Sequence, residues 1–254
     1  MTTGYIGEIF SGIQGEGLWV GERQIFVRLL GCNLRCSYCD TAWARERTLY
    51  CRVEKTAGER DFEEHSNPLD AARAGGFVLR LSQPAGLHGS VSFTGGEPLA
   101  QPEFLRELAQ RVRAAGLQVY LETNGTLAES LAVLLDAVDV IAMDVKLASA
   151  AGFECWKEHE AFLDAARPFI ARGSLLFVKA VFAESTAEQE IERLCRLISA
   201  VNPSLALVLQ PVSEVRGGPV PPSPARVLRL QAVAKRALAE VRVIPQMHKL
   251  IGQI

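Results

Sequence analysis

The segment QIFVRLLGCNLRCSYC (24–39) joins an apolar run, QIFVRLL (24–30), to three cysteines spaced Cys32-x3-Cys36-x2-Cys39. The run has the length and composition of a buried strand, and the cysteines follow it in a loop. Three thiolates within eight residues can wrap one compact soft centre. Zinc would want a fourth protein ligand and a fully closed 4Fe–4S cluster a fourth cysteine, and no Cys or His follows closely enough to supply either. Three ligands leave one iron open. A zinc knuckle that recruits Cys51 or His65 from a distance is the alternative reading of the same spacing.

Downstream, short β-rich runs alternate with longer helical patterns. The strand candidates are VSFT (91–94), LQVYLET (117–123), VDVIAMDV (138–145), SLLFVKAVF (174–182), LALVLQP (205–211) and EVRVIP (240–245). Between them, PEFLRELAQRVRAAG (102–116) repeats its apolar residues every three or four positions, and STAEQEIERLCRLISAV (185–201) opens on a Ser or Thr cap followed by acids. This βα alternation predicts an α/β fold, a partial (β/α)6-type TIM-like barrel of six or seven parallel strands. Residues 42–75, charged and without clear periodicity, read as an insertion after the cysteine loop that carries some helix, and residues 212–227 as a Pro- and Gly-rich surface loop. No linker divides the chain, so one domain over 1–254 is expected.

Composition narrows the function. The 254 residues carry 27 Lys plus Arg against 29 Asp plus Glu, a net charge of -2, with 48% hydrophobic residues. That content supports a large core and excludes disorder, and the charge gives no bulk reason to bind nucleic acid or an anionic membrane. No stretch reaches the ~18 apolar residues of a membrane span, and the start MTTGYIGEIF lacks the basic and apolar regions of a secretory signal. A cytoplasmic protein with reduced cysteines is expected. Cys195 lies among the apolar positions of a helix and reads as core, Cys51 and Cys155 receive no role, and His65, His88 and His159 read as surface residues.

Polar groups recur where the predicted strands end. VSFT runs into Gly95-Gly96-Glu97-Pro98, and the later ends read Glu122-Thr123-Asn124-Gly125, Asp144-Val145-Lys146 and Gln210-Pro211. Barrel enzymes keep their sites at that mouth. Taken singly, each is as easily a cap or a turn; together with the cysteine loop they form a pattern.

The Cys-x3-Cys-x2-Cys loop followed by GGEP resembles the radical S-adenosylmethionine (radical SAM) superfamily. The resemblance implies a 4Fe–4S cluster on Cys32, Cys36 and Cys39 whose open iron is chelated by SAM, and reductive cleavage of SAM to a 5'-deoxyadenosyl radical. It further implies SAM contacts at Tyr38, Asp40, Gly96, Glu97, Asn124, Asp144, Lys146 and Gln210. Within the superfamily, Glu8-Ile-Phe-Ser-Gly-Ile13-Gln14-Gly15-Glu16-Gly17, Phe26-Val-Arg28 and Cys39-Asp40-Thr41 closely resemble the 7-carboxy-7-deazaguanine synthase (QueE) family, from residue 5 to His248-Lys249 except for 42–75.

That likeness implies conversion of 6-carboxy-5,6,7,8-tetrahydropterin to 7-carboxy-7-deazaguanine with loss of ammonia, on the route to queuosine and related 7-deazapurines. Ile13, Gln14, Gly15 and Glu16 would hold the pterin's pyrimidine edge, Arg28 the substrate carboxylate as a planar fork on a planar anion, and Thr94 and His248 further parts of the substrate. Thr41 is the implied Mg2+ position, its octahedron completed by substrate oxygens and water; an N-cap is its plainer reading. Where family members end in a Pro whose terminal carboxylate reaches the substrate, this sequence has Ile254, whose own carboxylate is the implied substrate contact. A homodimer and an electron donor such as flavodoxin are also implied. A radical SAM activase that makes a glycyl radical on a partner protein shares the loop and GGEP, but QGEG and Cys-Asp-Thr favour a small carboxylated substrate. An electron carrier would gain nothing from an open iron.

Overall fold

The computed structural model describes residues 2–253. Its strands, in chain order, are β1 (Thr3–Gly4), β2 (Ile6–Ile13), β3 (Arg23–Leu29), β4 (Tyr50–Glu54), β5 (Phe62–Ser66), β6 (Leu69–Asp70), β7 (Ser90–Gly95), β8 (Gln118–Thr123), β9 (Val140–Lys146), β10 (Leu175–Phe182), β11 (Leu207–Pro211) and β12 (Val241–Val243). The helices are α1 (Ala71–Leu81), α2 (Pro102–Ala114), α3 (Ala128–Leu134), α4 (Ala148–Ala151), α5 (Trp156–Ala165), α6 (Arg167–Ala171), α7 (Glu188–Val201), α8 (Pro224–Lys235) and α9 (Met247–Leu250).

Ten strands form one sheet in the order β12-β11-β10-β9-β8-β7-β3-β2-β4-β5, open at both ends. From β3 through β7 to β12 every neighbour is parallel, which is the expected partial barrel with seven parallel strands. Helices cover its outer face. In α2 the buried residues Phe104, Leu105, Leu108, Ala109 and Val112 fall three or four apart, so one stripe meets the sheet, and each fully buried side chain of this kind stabilises by roughly 1.5–3 kcal/mol. Because strand side chains alternate, the opposite set points inward. Tyr120, Val140, Phe177 and Val208 close the bottom as a small apolar cluster, while Glu122, Asp144, Lys179 and Gln210, two or four residues further along their strands, stand above it.

The 42–75 region departs from expectation. It carries one short 3-10 turn, Ala42–Arg45, but its main element is the antiparallel β4–β5 hairpin, which extends the sheet through the parallel β2–β4 pair. In β4 the alternation that identifies a strand is present, with Cys51 and Val53 buried between exposed Tyr50 and Arg52. The charged edge strand FEEHS hides it. β2 was also not expected, and α1 follows β6 directly, with Asp70 Oδ1 accepting from Arg73 N–H at 2.8 Å as its N-cap. At the other end, α8 begins at Pro224, inside the expected 212–227 loop. The cap of α7 is Ala187 rather than a Ser or Thr; Glu190 reaches back to the Ala187 N–H, and Thr186 instead bonds Ala183 N–H and Ser149.

Candidate active site

A cavity of about 520 Å³ opens at the C-terminal ends of the parallel strands, a volume typical of small-molecule sites. Cys32, Cys36 and Cys39 line one side of it, and all three are free thiols of intermediate exposure. Burial pushes Cys32 up and Cys36 to about 11, so without a metal these groups hold their protons near neutral pH. The loop is anchored from several directions. Asn124 Nδ2 donates to Asn33 Oδ1 at 2.9 Å, Asn33 Nδ2 to Thr126 Oγ1 at 2.8 Å, and Arg45 to the Cys36 carbonyl at 3.0 Å, while Ser37 bonds the backbone at the end of α4.

Residues from four strand ends meet this loop. Tyr38, Asp40, Gly96, Asn124, Asp144, Lys146 and Gln210 all line the cavity. Three buried polar atoms among them, Tyr38 Oη, Asp144 Oδ1 and Gln210 Oε1, have no hydrogen-bond partner among the described residues. Such atoms normally mark a missing partner. Two are acceptors suited to ammonium or hydroxyl donors and one can do either, which fits a ligand with the amino group and ribose hydroxyls of SAM. Burial alone would lower the Lys146 ammonium, but Asp144 at 3.0 Å more than offsets it and holds it well above its ordinary value.

Glu97 is placed differently from the expected SAM contact. It is fully buried behind the cavity wall, where Oε1 accepts from Leu99 N–H at 3.0 Å and Thr123 Oγ1 at 2.9 Å, and Oε2 from Asn124 N–H at 2.7 Å. Its carboxylate therefore shapes the end of β8 and holds Asn124. The preceding glycine has a matching reason: a Cβ on Gly96 would overlap the Gly31 carbonyl, against which the β7 end packs to give Glu97 N–H to Gly31 O at 2.7 Å.

On the other side lie Ile13, Gln14, Gly15, Glu16, Arg28, Thr94 and His248. Gln14 is buried with its amide already used: Nε2 donates to Gln24 at 3.0 Å and Glu122 at 2.9 Å, and Oε1 accepts from Glu16 N–H at 3.0 Å. It builds the QGEG loop. A Cβ on Gly15 would overlap His248, and Met247 N–H donates to the Gly15 carbonyl at 2.9 Å, so the C-terminal segment docks on this loop. Glu16 pairs with Lys179 and accepts from Gln246 Nε2 at 2.7 Å. Burial would raise its carboxyl; Lys179, Gln246 and His248 prevail and hold it at about 2.

Arg28 lies in a register row of Arg52, Glu8, Arg28 and Thr94 across β4, β2, β3 and β7. Its Nε donates to Glu8 Oε1 at 2.8 Å, with the two side chains 11% and 5% exposed. An inward arginine implied an anionic partner, and that partner is a carboxylate of the chain itself. The terminal amino groups of Arg28 have no hydrogen-bond partner among the described residues. Thr41 sits at the N-cap position of the 3-10 turn, yet its hydroxyl makes no cap hydrogen bond and lies 4.0 Å from Cys39 Sγ at the cavity wall. Ile254 lies outside the described residues.

Several residues correct or extend the sequence reading. His159 and His88 are buried rather than on the surface. His159 Nε2 accepts from Lys146 N–H at 2.9 Å, so Nδ1 carries the proton and donates to the Gly125 carbonyl at 2.9 Å, tying the ends of β8 and β9; burial lowers it to about 4. Lys179, Gln246 and Lys249 line the cavity and were not among the expected site residues, and Glu122, read as part of a polar strand end, lines it as well. For Lys179 a signal existed, a lone charge inside the otherwise apolar SLLFVKAVF. Cys51 and His65, the remote zinc ligands considered, are cross-strand partners on the β4–β5 hairpin and do not line the cavity. Among the described residues, no group of three or more His, Cys, Asp or Glu is arranged to hold a single metal ion, and no helix is long and apolar enough to cross a membrane.

Residues 27–159 match the model of the Radical SAM superfamily. Over 249 residues the chain is 41% identical to a 7-carboxy-7-deazaguanine synthase of Geobacter sulfurreducens, covering 97% of this chain and 96% of the relative. It is 34% identical over 251 residues to another of Methanopyrus kandleri, with 97% and 93% covered. The fold resembles the crystal structure of QueE from Escherichia coli with a TM-score of 0.61 at 20% identity, covering 97% of this chain and 95% of that one. Cysteine loop, strand-end acceptors and full-length similarity agree, and the chain belongs to the 7-carboxy-7-deazaguanine synthase family of the radical SAM superfamily.

Proposed function

We propose that this protein is a radical SAM lyase that converts 6-carboxy-5,6,7,8-tetrahydropterin to 7-carboxy-7-deazaguanine with loss of ammonia, in 7-deazapurine (queuosine-type) biosynthesis. The observation that carries the reading is one cavity lined by the three cysteines and the unpartnered acceptors on one side and by Glu16 and Arg28 on the other. Family membership implies the 4Fe–4S cluster and SAM, and the thiol trio and acceptor set fit them.

Cys32, Cys36 and Cys39 would hold the cluster, and Tyr38, Asp144 and Gln210 would meet SAM. When bound, the two supply one-electron hydrogen-abstraction chemistry. The chain's contribution is position. Glu16, ionised, accepts N–H donors of the pyrimidine edge; Arg28, held by Glu8 through Nε, turns its remaining edge to the substrate carboxylate. Thr94 and His248 flank that ligand, and Thr41 offers a hydroxyl to Mg2+, a hard oxygen donor for a hard ion. At the mouth, Gln246 bridges Glu16 and Asp40, and Lys249 pairs with Asp40 at 3.0 Å. Alignment on this scale decides which hydrogen is taken. The reading includes one radical SAM domain over 1–254, a cytoplasmic homodimer and a flavodoxin-like electron donor, each supported by family resemblance.

The test is anaerobic reconstitution with iron, sulfide, SAM and a reductant, followed by mass spectrometry after incubation with carboxytetrahydropterin. A product lighter by ammonia is expected. SAM cleavage with unchanged pterin would reject the lyase reading in favour of the glycyl-radical activase.

A further inference from the structure

Lys179 is the one charged residue of β10, whose other residues, Leu175 to Phe182, are apolar. Its side chain points into the barrel and is 11% exposed. An ammonium there is costly to desolvate and persists only with close anionic partners. It has two: Glu16 Oε2, in direct contact, and Asp144 Oδ2 at 3.3 Å. The partners are served unequally. Asp144 also has Lys146 at 3.0 Å, whereas Lys179 is the only cation in ion-pair contact with Glu16 among the described residues.

Glu16 belongs to the loop after β2, where no strand fixes its side chain. Lys179 reaches it from a central strand 163 residues away in sequence. The contact engages Oε2 and leaves Oε1 facing the cavity, where it accepts from the Gln246 amide at 2.7 Å. That amide N–H is the same kind of donor as a lactam N–H or an exocyclic amine. We propose that Lys179 is the positioning residue for Glu16, holding its carboxylate ionised and aimed so that Oε1, the oxygen not engaged by Lys179, reads adjacent N–H donors of the substrate heterocycle. The inference rests on the pterin reading above.

Its signature is a pH profile. Glu16 is faced by Lys179, Gln246 and His248; Lys179 by Glu16, Asp144 and Glu122; and Asp40 and Lys249 join the cluster through Gln246. With Lys179 present, Glu16 stays ionised throughout the working range. Without it, burial remains and the compensating cation is gone, so the carboxyl titrates upward and substrate affinity falls as pH decreases.

The reconstituted holoenzyme is assayed between pH 6 and 9 for KM and kcat. Lys179→Met is expected to raise KM tenfold or more near neutrality, with an acid limb absent from the parent. Lys179→Arg should restore a flat profile. Should Lys179→Met fail to fold, Glu16→Gln/Lys179→Met removes both charges together, and its KM should equal that of Glu16→Gln alone. A flat KM profile in Lys179→Met, or a double variant several-fold worse than Glu16→Gln, overturns the proposal. A parent enzyme that does not convert carboxytetrahydropterin instead overturns the function on which it rests.

Discussion

Replacing Arg28 by Met keeps bulk but removes the charge from a pair that is nearly water-free, with side chains 11% and 5% exposed and Nε 2.8 Å from Glu8 Oε1. At that separation the Coulomb attraction is roughly 6 kcal/mol for an effective dielectric constant near 20. Most of it offsets desolvation, but removing only one partner strands the other, and measured cases cost about 3–5 kcal/mol. The guanidinium also stands 5.8 Å from the Phe10 ring and 6.0 Å from Trp43, contacts of about 0.5–1 kcal/mol each. Arg28→Met should therefore destabilise the fold by about 3–5 kcal/mol. Adding Glu8→Gln removes the stranded charge and should recover about 2–3 kcal/mol of the loss, leaving the aromatic term. The assay is urea unfolding of the apoprotein followed by tryptophan fluorescence, with Trp43 beside the pair as one of three reporters. With a slope of about 3 kcal/mol per molar, the single variant's midpoint should fall by roughly 1 M or more. A parental midpoint in Arg28→Met, or a double variant no more stable than the single one, would refute the ion-pair argument. Substrate affinity is then read in the Glu8→Gln background, where a loss on going to Met reports the substrate carboxylate.

Three other outcomes follow from the site. Alanine at Cys32, Cys36 or Cys39 should abolish iron loading and SAM cleavage, while Cys51→Ala, Cys155→Ala or Cys195→Ala in folded protein should leave iron content unchanged, as measured by iron analysis. Thr41→Ala should weaken the response of turnover to Mg2+ while substrate-free SAM cleavage continues; an unchanged Mg2+ titration would return Thr41 to a structural turn position. His159, held neutral with its value lowered to about 4, contributes stability that is present above its unfolded value near 6.5 and lost as pH falls toward 4. The loss between pH 7 and 5 should be on the order of 2 kcal/mol and should shrink in His159→Gln, measured by denaturant unfolding at each pH; an equal slope in both proteins would reject this role.

Local sequence determined what depends on short spacing and on periodicity. Three cysteines in eight residues form one thiol cluster whatever surrounds them, and runs of buried β-branched residues alternating with amphipathic helices leave few alternatives to a parallel barrel. Strand ends then had to gather at one mouth, so Asn124, Asp144, Lys146 and Gln210 were legible as site residues before their geometry was known. The β4–β5 hairpin was less legible because an edge strand needs only one buried face, and FEEHS buries little. Pairings between distant residues were closed to sequence reading altogether. Whether Glu97 faces a ligand or the chain, whether Arg28 waits for a substrate anion or already holds Glu8, and which carboxylates surround Lys179 depend on register and loop docking across 20 to 163 residues. In a low-dielectric interior a shift of a few ångströms decides whether a charge is paired or orphaned, and only the tertiary arrangement fixes distances that finely.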